Sequence, residues 1–387
     1  MGDFDFSRPA IRQNRETRFI KYLSLASTGT LFNRPTENKN PLGKAHLYYE
    51  DPIFDRLQGS YDDVREELRA FRRSPHHRGS MITFLGLDGL SCMRVNHLLR
   101  NEPDEFLYTS PACIPLQGMY PHGCAHVAHA GWRLWQPFVK VLTTPLASPA
   151  VREDWEVKEF NQHEVAILIQ MRACAEYLAE LLEGEGIELE EDTRSLWGRF
   201  KNSQGESDTS NLMWIAQALD NYYFPYWQLR NEAIRSGDTD LVDLLWCEFT
   251  STFITSKAHK TQYGPMAVVF RFWARALRAE PAAIRKRMLL INMGYTPGHF
   301  TGSDFPVEGQ NGLMRRGMNT ANCTRDSVKE YVRNMNVTAG VRAGYQKAVF
   351  PSRQKYDRHM VDIEADVKIL KDWLIKHVGS GGLRARQ

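Results

Sequence analysis

Apolar residues recur at helical spacing through most of the chain beyond residue 125. Steps of three and four place side chains on one face of an α-helix, and glycine commonly follows a helix end. The stretches 163–186, 239–254 and 264–279 have this pattern, with aromatic residues in the last two. It predicts nearly continuous helix whose aromatic side chains pack in the core. In the first stretch, which stops at Gly184, the apolar positions are Val165, Leu168, Met171, Ala175, Leu178 and Leu182.

Two more helices are predicted outside that region. The stretch 60–73 opens with Ser60 and Asp63, a capping pattern, and continues as a charged helix. Near the C-terminus an apolar seam lasts for fewer than three heptads, so we expect this helix to dock on the body of the protein. Pairing with a second copy is the alternative. The seam residues are Met360, Ile363, Val367, Leu370, Leu374 and Val378.

Two short stretches break the helical pattern. Residues 81–89, MITFLGLDG, are an apolar run that ends at Asp88-Gly89, which is typical of a strand followed by a turn. Residues 112–118, ACIPLQG, are a weaker strand candidate. We therefore predict an α-rich α/β fold, a small α/β core with a large helical insertion. The predicted divisions are an irregular N-terminal segment (1–59), the first part of the core (60–145), the helical insertion (146–290), the return to the core (291–350), a C-terminal helix (351–378) and a flexible tail (379–387).

Composition is that of an ordinary globular protein. The chain has 387 residues, 42% hydrophobic and 25% charged, which is longer than one compact core usually requires. The net charge of +3 does not indicate a nucleic-acid-binding protein, so a basic surface would have to be local. The stretch 69–78 is the candidate. Its arginines are Arg69, Arg72, Arg73 and Arg78.

The sequence also predicts the compartment. Six cysteines occur without CxxC spacing, which favours reduced thiols over a disulfide framework. The first residues contain no apolar segment typical of a secretory signal, and no apolar run approaches membrane-spanning length. We expect an intracellular protein, nuclear or cytoplasmic, that has no membrane partner.

Asp88 is the first candidate for chemistry. It stands at the end of a predicted strand, and in open α/β sheets ligands commonly bind beyond strand ends. A carboxylate there can hold a divalent cation. The alternative is an ordinary turn, because Asp-Gly is among the commonest turn dipeptides. The local sequence alone favours the turn.

The stretch 298–324 contains the second candidate. Asp304, Glu308 and Asn311 are spaced four and three apart, so a helix would present all three on one face, where the acids can share a hard cation. Pro306 favours a first helical turn and leaves Asp304 just before the helix. In the structural alternative Asp304 caps the helix and Glu308 complements its dipole.

A cluster of histidines occurs in the stretch 120–132, YPHGCAHVAHAGW. We predict a turn around residues 118–123 and a helix after it, with His126 and His129 on one helical face and His122 approaching from the turn. The spacing matches no standard structural zinc site, which takes paired ligands from two separate segments. A pair of histidines on a helix is more often part of a hydrogen-bonded core. The structural interpretation is therefore favoured over metal binding.

Three stretches, 85–99, 111–135 and 292–316, occur together in this order, with a helical middle at 235–253. In this combination the chain resembles the transposon-associated domain of unknown function 6589 family, from about residue 80 to residue 347. The resemblance implies a transposase-like protein with a ribonuclease-H-like core interrupted by helices. It also implies DNA as the partner.

The resemblance further implies a site in which carboxylates hold two divalent ions, Mg²⁺ or Mn²⁺, for cleavage or strand transfer at a phosphodiester. Asp88 matches the first acid and Glu308 the last. Met119 stands where the family commonly has an acid, and Asp104 or Glu105 are the alternatives nearby, so a degenerate protein without catalysis is a second interpretation. Residues expected to support the site are Asp304, Asn311, His122, His126, His129 and Arg133.

Three functional hypotheses follow. The first is a metal-dependent nuclease or strand-transferase with Asp88 and Glu308 as metal ligands and catalytic residues. The second is a non-catalytic nucleic-acid-binding protein that uses the arginines of 69–78. The third is a helical interaction protein that forms a homo-oligomer through Leu370 and Leu374.

Overall fold

The computed structural model of the chain is mostly helical. Within the described part, no helix is both long and apolar enough to cross a bilayer. The predicted helix at 264–279 lies outside that part, as does the C-terminal tail. The structure describes residues 9–33, 39, 60–73, 82–87, 89–109, 112–117, 120–143, 145–146, 160–184, 207–255, 290–292, 298–302 and 363–378.

The structure describes ten helices. α2, α7 and α9 begin and end close to the predicted bounds, and α2 has the predicted cap, in which the Asp63 amide donates to Ser60 Oγ at 3.1 Å. The helices up to residue 184 are α1 (Pro9–Ser27), α2 (Tyr61–Arg73), α3 (Gly89–Asn101), α4 (Pro103–Phe106), α5 (Tyr120–Leu134), α6 (Gln136–Thr143) and α7 (Phe160–Gly184). Those after it are α8 (residues 207–236), α9 (Thr239–Thr255) and α10 (Glu364–Val378).

Helix α8 is not a regular α-helix. It begins as Ser207–Ala218 and then passes through two π-helical segments, Leu219–Tyr223 and Gln228–Ile234, on either side of Phe224–Trp227. Pro225 explains the first of them, because its ring lacks an amide hydrogen and crowds the preceding turn of an α-helix. A wider π turn, in which the Phe224 amide donates to the Leu219 carbonyl, accommodates it.

Four short strands form two separate pairs. β1 (Ile82–Leu87) and β2 (Ala112–Gln117) are parallel, with Ile82 opposite Ala112 and Leu87 opposite Gln117. β3 (Leu290–Asn292) and β4 (Phe300–Gly302) are antiparallel. Both β1 and β2 fall within the predicted strand stretches.

The predicted α-rich α/β fold with a small ribonuclease-H-like core is wrong. The described strands never join into one sheet, and the main core consists of helices packed on helices. The reason is that α7, α8 and α9 are apolar on more than one face, so each buries the others without a sheet between them. The main core also takes residues from every predicted division between the N-terminus and residue 378. Examples from these divisions are Phe19, Val127, Ile167, Phe300 and Leu370.

Helix α1 lies in the segment 1–59, which we predicted to be irregular, and that prediction is wrong for these residues. Its apolar residues Phe19, Tyr22 and Leu23 are buried against α7 and α8, but Arg18 is buried among them with its side chain fully covered. A buried arginine interrupts the apolar face that sequence periodicity detects. The amphipathic signal of α1 is therefore lost.

Helix α10 docks on the body of the protein, as predicted. Its seam residues Val367, Leu370, Leu374 and Val378 are buried, and the helix packs along α7. Ion pairs border this contact: Arg172 of α7 binds Glu364, and Lys371 binds Glu180. Leu370 and Leu374 are thus buried in the core of the same chain. They are therefore not available for the homo-oligomer contact that the sequence predicted.

Candidate functional site

The two parallel strands end side by side, and each is followed by a helix. Leu87 pairs with Gln117 as the last residue of each strand, α3 begins at Gly89 and α5 begins at Tyr120. Asp88 connects β1 to α3 and lies outside the described residues, as does Met119 before α5. The carboxyl ends of adjacent parallel strands are a common position for ligand-binding groups. The first two stretches of the resemblance meet at this edge.

The third stretch also reaches α5. β4 contacts α5 and the second π segment of α8, and Phe300 is buried in the main core. Strand β4 ends at Gly302, two positions before Asp304 in the chain. Glu308 and Asn311 follow, and all three lie outside the described residues. Helix α5 is therefore the element that both motif-bearing parts of the chain adjoin.

The histidines of α5 are part of a helix from the start. The turn predicted around residues 118–123 is wrong from Tyr120 onwards, because Pro121 is well suited to a first helical turn and α5 includes it. His122 and His126 lie on α5, and their side chains are outside the described part. His129 is buried, and Arg133 is half-buried near the end of the helix.

Helix α5 is held closely by α8. The Tyr222 hydroxyl donates to the Ala128 carbonyl at 3.0 Å, within the core. The Tyr222 ring also lies directly over Gly131, where a Cβ atom would be only 2.1 Å from Cδ2 and 2.2 Å from Cε2. Only glycine permits this approach. The sequence signal is thus Gly131 within a helix, but its partner was not predictable from the sequence.

A polar cluster joins the same helices inside the core. Glu164 of α7 forms an ion pair with Arg230 of α8 and accepts a hydrogen bond from the Tyr226 hydroxyl at 2.9 Å. The thiol of buried Cys124, on α5, interacts with both Arg230 and Tyr226. Burial and the Glu164 carboxylate raise the pKa of Tyr226 well above its ordinary value. The sequence did not predict this cluster, because its members lie on three helices that are far apart in the chain and no local pattern connects them.

A second buried cluster joins α1, α8 and α9. Arg18 binds Glu248 with both ends of its guanidinium, at 2.9 Å from Nη1 to Oε2 and 2.7 Å from Nη2 to Oε1. Arg18 Nη2 also donates to the Asp220 carbonyl at 3.1 Å. In a π turn that carbonyl would accept from the residue five positions on, which is Pro225 and has no amide hydrogen. Arg18 supplies the missing donor.

The described arginines of the basic stretch 69–78 form hydrogen bonds within the protein. Arg69 Nε and Nη2 donate to Glu105 at 2.6 and 2.9 Å, and Arg69 Nη1 donates to Glu66 at 2.6 Å. Arg72 donates to the Glu105 carbonyl, and Arg73 Nε to the Arg69 carbonyl at 3.2 Å. The bonds to Glu105 join α2 to α4, whereas those to Glu66 and the Arg69 carbonyl lie within α2. Arg78 lies outside the described residues.

Glu105 is also one of the acids considered as a substitute for the residue at Met119. Its hydrogen bonds from Arg69 lower the pKa of the Glu105 carboxyl, despite slight burial. A carboxylate that already accepts two hydrogen bonds from an arginine has a structural role in this contact. Asp104, its neighbour in α4, is exposed.

Among the described residues, no group of three or more His, Cys, Asp or Glu side chains is arranged to hold a metal ion. Asp88 and Glu308, the expected ligands, are outside those residues. No protein-family model, curated protein or solved structure matches the chain. The candidate site is therefore described through the strands and helices that are next to Asp88 and Glu308 in the chain.

Proposed function

We propose that the protein is transposase-like and acts on DNA by metal-dependent cleavage or strand transfer at a phosphodiester. The observation that supports this most directly is the assembly around α5. β1, which ends before Asp88, pairs with β2, which leads into α5, and β4, which leads toward Glu308, packs on α5. The strand that leads toward Glu308 thus packs on the helix that follows the partner strand of β1. The proposal does not depend on a ribonuclease-H-like fold.

The donor atoms fit a hard divalent cation. Carboxylate oxygens are the ligands that Mg²⁺ and Mn²⁺ prefer, and Asp88 and Glu308 would hold the metal. When bound, such a metal activates an attacking water or hydroxyl and stabilises the leaving oxygen. Asp304 and Asn311, close to Glu308 in sequence, would support it. His129, buried in α5, would help to hold that helix in place.

The described contacts bear on the two alternative functions, a non-catalytic nucleic-acid-binding protein and a homo-oligomer. The non-catalytic hypothesis relied on Arg69, Arg72, Arg73 and Arg78. The first three form hydrogen bonds within the protein, and Arg78 lies outside the described residues. The homo-oligomer hypothesis relied on Leu370 and Leu374, which are buried against the chain's own core.

The test is nicking of supercoiled plasmid DNA with Mg²⁺ or Mn²⁺. Asp88→Asn and Glu308→Gln keep the size of each side chain but remove the charge that binds the metal. Each is expected to lower the nicking rate at least ~100-fold, since metal stabilisation is worth several kcal/mol. Glu183→Gln, an exposed acid near the end of α7, is the matched control and should nick normally.

Two results would contradict the proposal. Nicking that persists in both acid variants would show that these carboxylates are not the ligands. DNA binding without any nicking, weakening as salt concentration rises, would instead favour the non-catalytic nucleic-acid-binding alternative, because phosphate contacts release counterions.

A further inference from the structure

Two tryptophans meet at the surface where α5 and α6 adjoin the first part of α8. Trp135 connects α5 to α6, and its ring meets the Trp214 ring edge to face, with the centroids 6.1 Å apart. The Trp135 ring is partly buried against the core and also meets the ring of buried Phe138, at 6.5 Å. Trp214 itself is 49% exposed. One ring that packs on the core thus supports a second ring that faces solvent.

Exposed side chains follow one another beside Trp135. Backbone hydrogen bonds carry the helical path of α5 through Trp135 into α6. Leu134, Pro137 and Lys140 step by three along this path, and all three are exposed. Residues three apart are neighbours on a helix surface. A cationic side chain therefore shares this side of the helices with the apolar residues next to Trp135.

The segment that carries these residues has no negative charge. From residue 118 to residue 151 the chain contains no acidic residue, and its charged residues are Arg133 and Lys140. Tyr61 and Tyr108 are also exposed, but acidic residues directly follow the first and lie within four positions of the second. A local field of positive sign attracts a polyanion, whereas neighbouring carboxylates repel its phosphates. The sign of the charge therefore distinguishes the two tryptophans from these tyrosines.

We infer that a tryptophan surface, made of Leu134, Trp135, Pro137, Lys140 and Trp214, binds single-stranded nucleic acid. A base stacks on the Trp214 ring, and Lys140 contacts a phosphate. Aromatic side chains beside positive charge bind single strands without regard to sequence, because every base has a π face. The inference goes beyond the proposed function and needs neither a metal ion nor Asp88 and Glu308.

The test is the affinity of the full-length protein for labelled oligothymidylate, measured by fluorescence anisotropy with EDTA present. Trp214→Ala removes an exposed ring, so the melting temperature should stay close to that of the wild type. We expect its Kd to rise ~5- to 150-fold, the factor that one lost base stack represents. Trp214→Phe keeps an aromatic face and should recover most of the affinity. Tyr108→Ala, which removes a 74% exposed ring elsewhere, is the control and should leave Kd unchanged.

The salt dependence of Kd tests the phosphate contact separately. Lys140→Gln should reduce the slope of log Kd against log salt concentration by ~0.7, the value of one phosphate contact on a single strand. Trp214→Ala should leave that slope unchanged, because stacking releases no counterion. An unchanged slope in Lys140→Gln would remove Lys140 from the inferred surface.

Three results would overturn the inference. The first is a wild-type protein that does not bind oligothymidylate at low salt, and the second is a Trp214→Ala variant that binds it normally. The third is self-association of the wild type in sedimentation velocity that Trp214→Ala abolishes, because a second copy would then cover this surface. Since EDTA excludes the metal ion, failure here leaves the nicking test of the proposed function unaffected.

Discussion

Arg18 shows how one residue can organise a region of the core. Burial disfavours its charge, but Glu248 and Asp220 more than compensate, and the pKa of the guanidinium is raised. It also donates to the carbonyl that Pro225 leaves without an amide partner. Arginine suits this position because its planar fork binds a carboxylate with two hydrogen bonds and retains a donor for a third acceptor.

We expect Arg18→Ala to lower the free energy of unfolding by about 3–5 kcal/mol, because the largely covered Glu248 carboxylate loses the partner that donates two hydrogen bonds to it. The measurement is urea denaturation followed by circular dichroism. Arg12→Ala is the control: Arg12 is on the same helix, its side chain is 68% exposed, and its described ion pair is with Glu16 of the same helix. Its loss should cost less than ~0.5 kcal/mol. Equal losses would show that the buried network is not a net contributor.

At the scale of elements, α10 shows that the apolar seam near the C-terminus packs in the core of the same chain. The seam spacing predicted one apolar face, and that face is buried on α7. The opposite face carries exposed apolar residues such as Ile369 and Ile375. The spacing of apolar residues therefore identified the buried face correctly. Hydrophobicity alone would not have done so, because Ile369 and Ile375 are apolar but exposed.

Leu374→Ala should destabilise the protein by about 2–5 kcal/mol, the usual cost of a cavity in a packed core. Leu374 is completely buried. Ile375→Ala, at the next position but 56% exposed, should cost no more than ~0.5 kcal/mol. Chemical denaturation of the two variants checks this. A large effect at Ile375 that depends on protein concentration would instead indicate contact with a second copy.

Helix α8 shows what element-scale prediction cannot capture. Pro225 in an apolar run signals an interruption of regular helix. In the structure the helix continues, because π turns on both sides and a donor from α1 accommodate the proline. Tertiary contacts therefore decided that the helix continues past Pro225 instead of ending there. The same applies to Gly131, whose close neighbour Tyr222 lies ninety-one positions away.

At the scale of the whole molecule, four buried tyrosines couple stability to alkaline pH. Burial raises the pKa of Tyr22, Tyr222, Tyr223 and Tyr226 well above the ordinary value near 10. In the unfolded chain these hydroxyls ionise near pH ~10. Above that pH the unfolded state loses protons that the folded state retains, so the folded state loses stability as pH rises.

We therefore expect stability to be constant with respect to these groups below pH ~10 and to fall steeply above it. Tyrosinate absorbance at 295 nm, followed as pH is raised, should show these four residues ionising only when the protein unfolds. The exposed Tyr108, which is 74% exposed, provides the comparison for ordinary titration. Gradual ionisation of all tyrosines in the folded state would contradict the buried positions.

The sequence by itself determined local structure. Spacing of apolar residues fixed α7, α9 and α10, the Ser60 cap fixed the start of α2, and short apolar runs marked β1 and β2. These features follow from interactions within a few residues, which is why a local pattern reveals them. That Asp88 and Glu308 share one metal site was an expectation from the resemblance and the order of motifs, not from any local pattern.

The tertiary structure alone decided how the core is made. It replaced the expected sheet with packed helices, made a helix of residues around a buried arginine, and created polar clusters from residues far apart in the chain. The physical reason is that a charged side chain is stable in the interior only when its oppositely charged partner lies beside it, as in Arg18–Glu248 and Glu164–Arg230. No single segment of sequence contains that information.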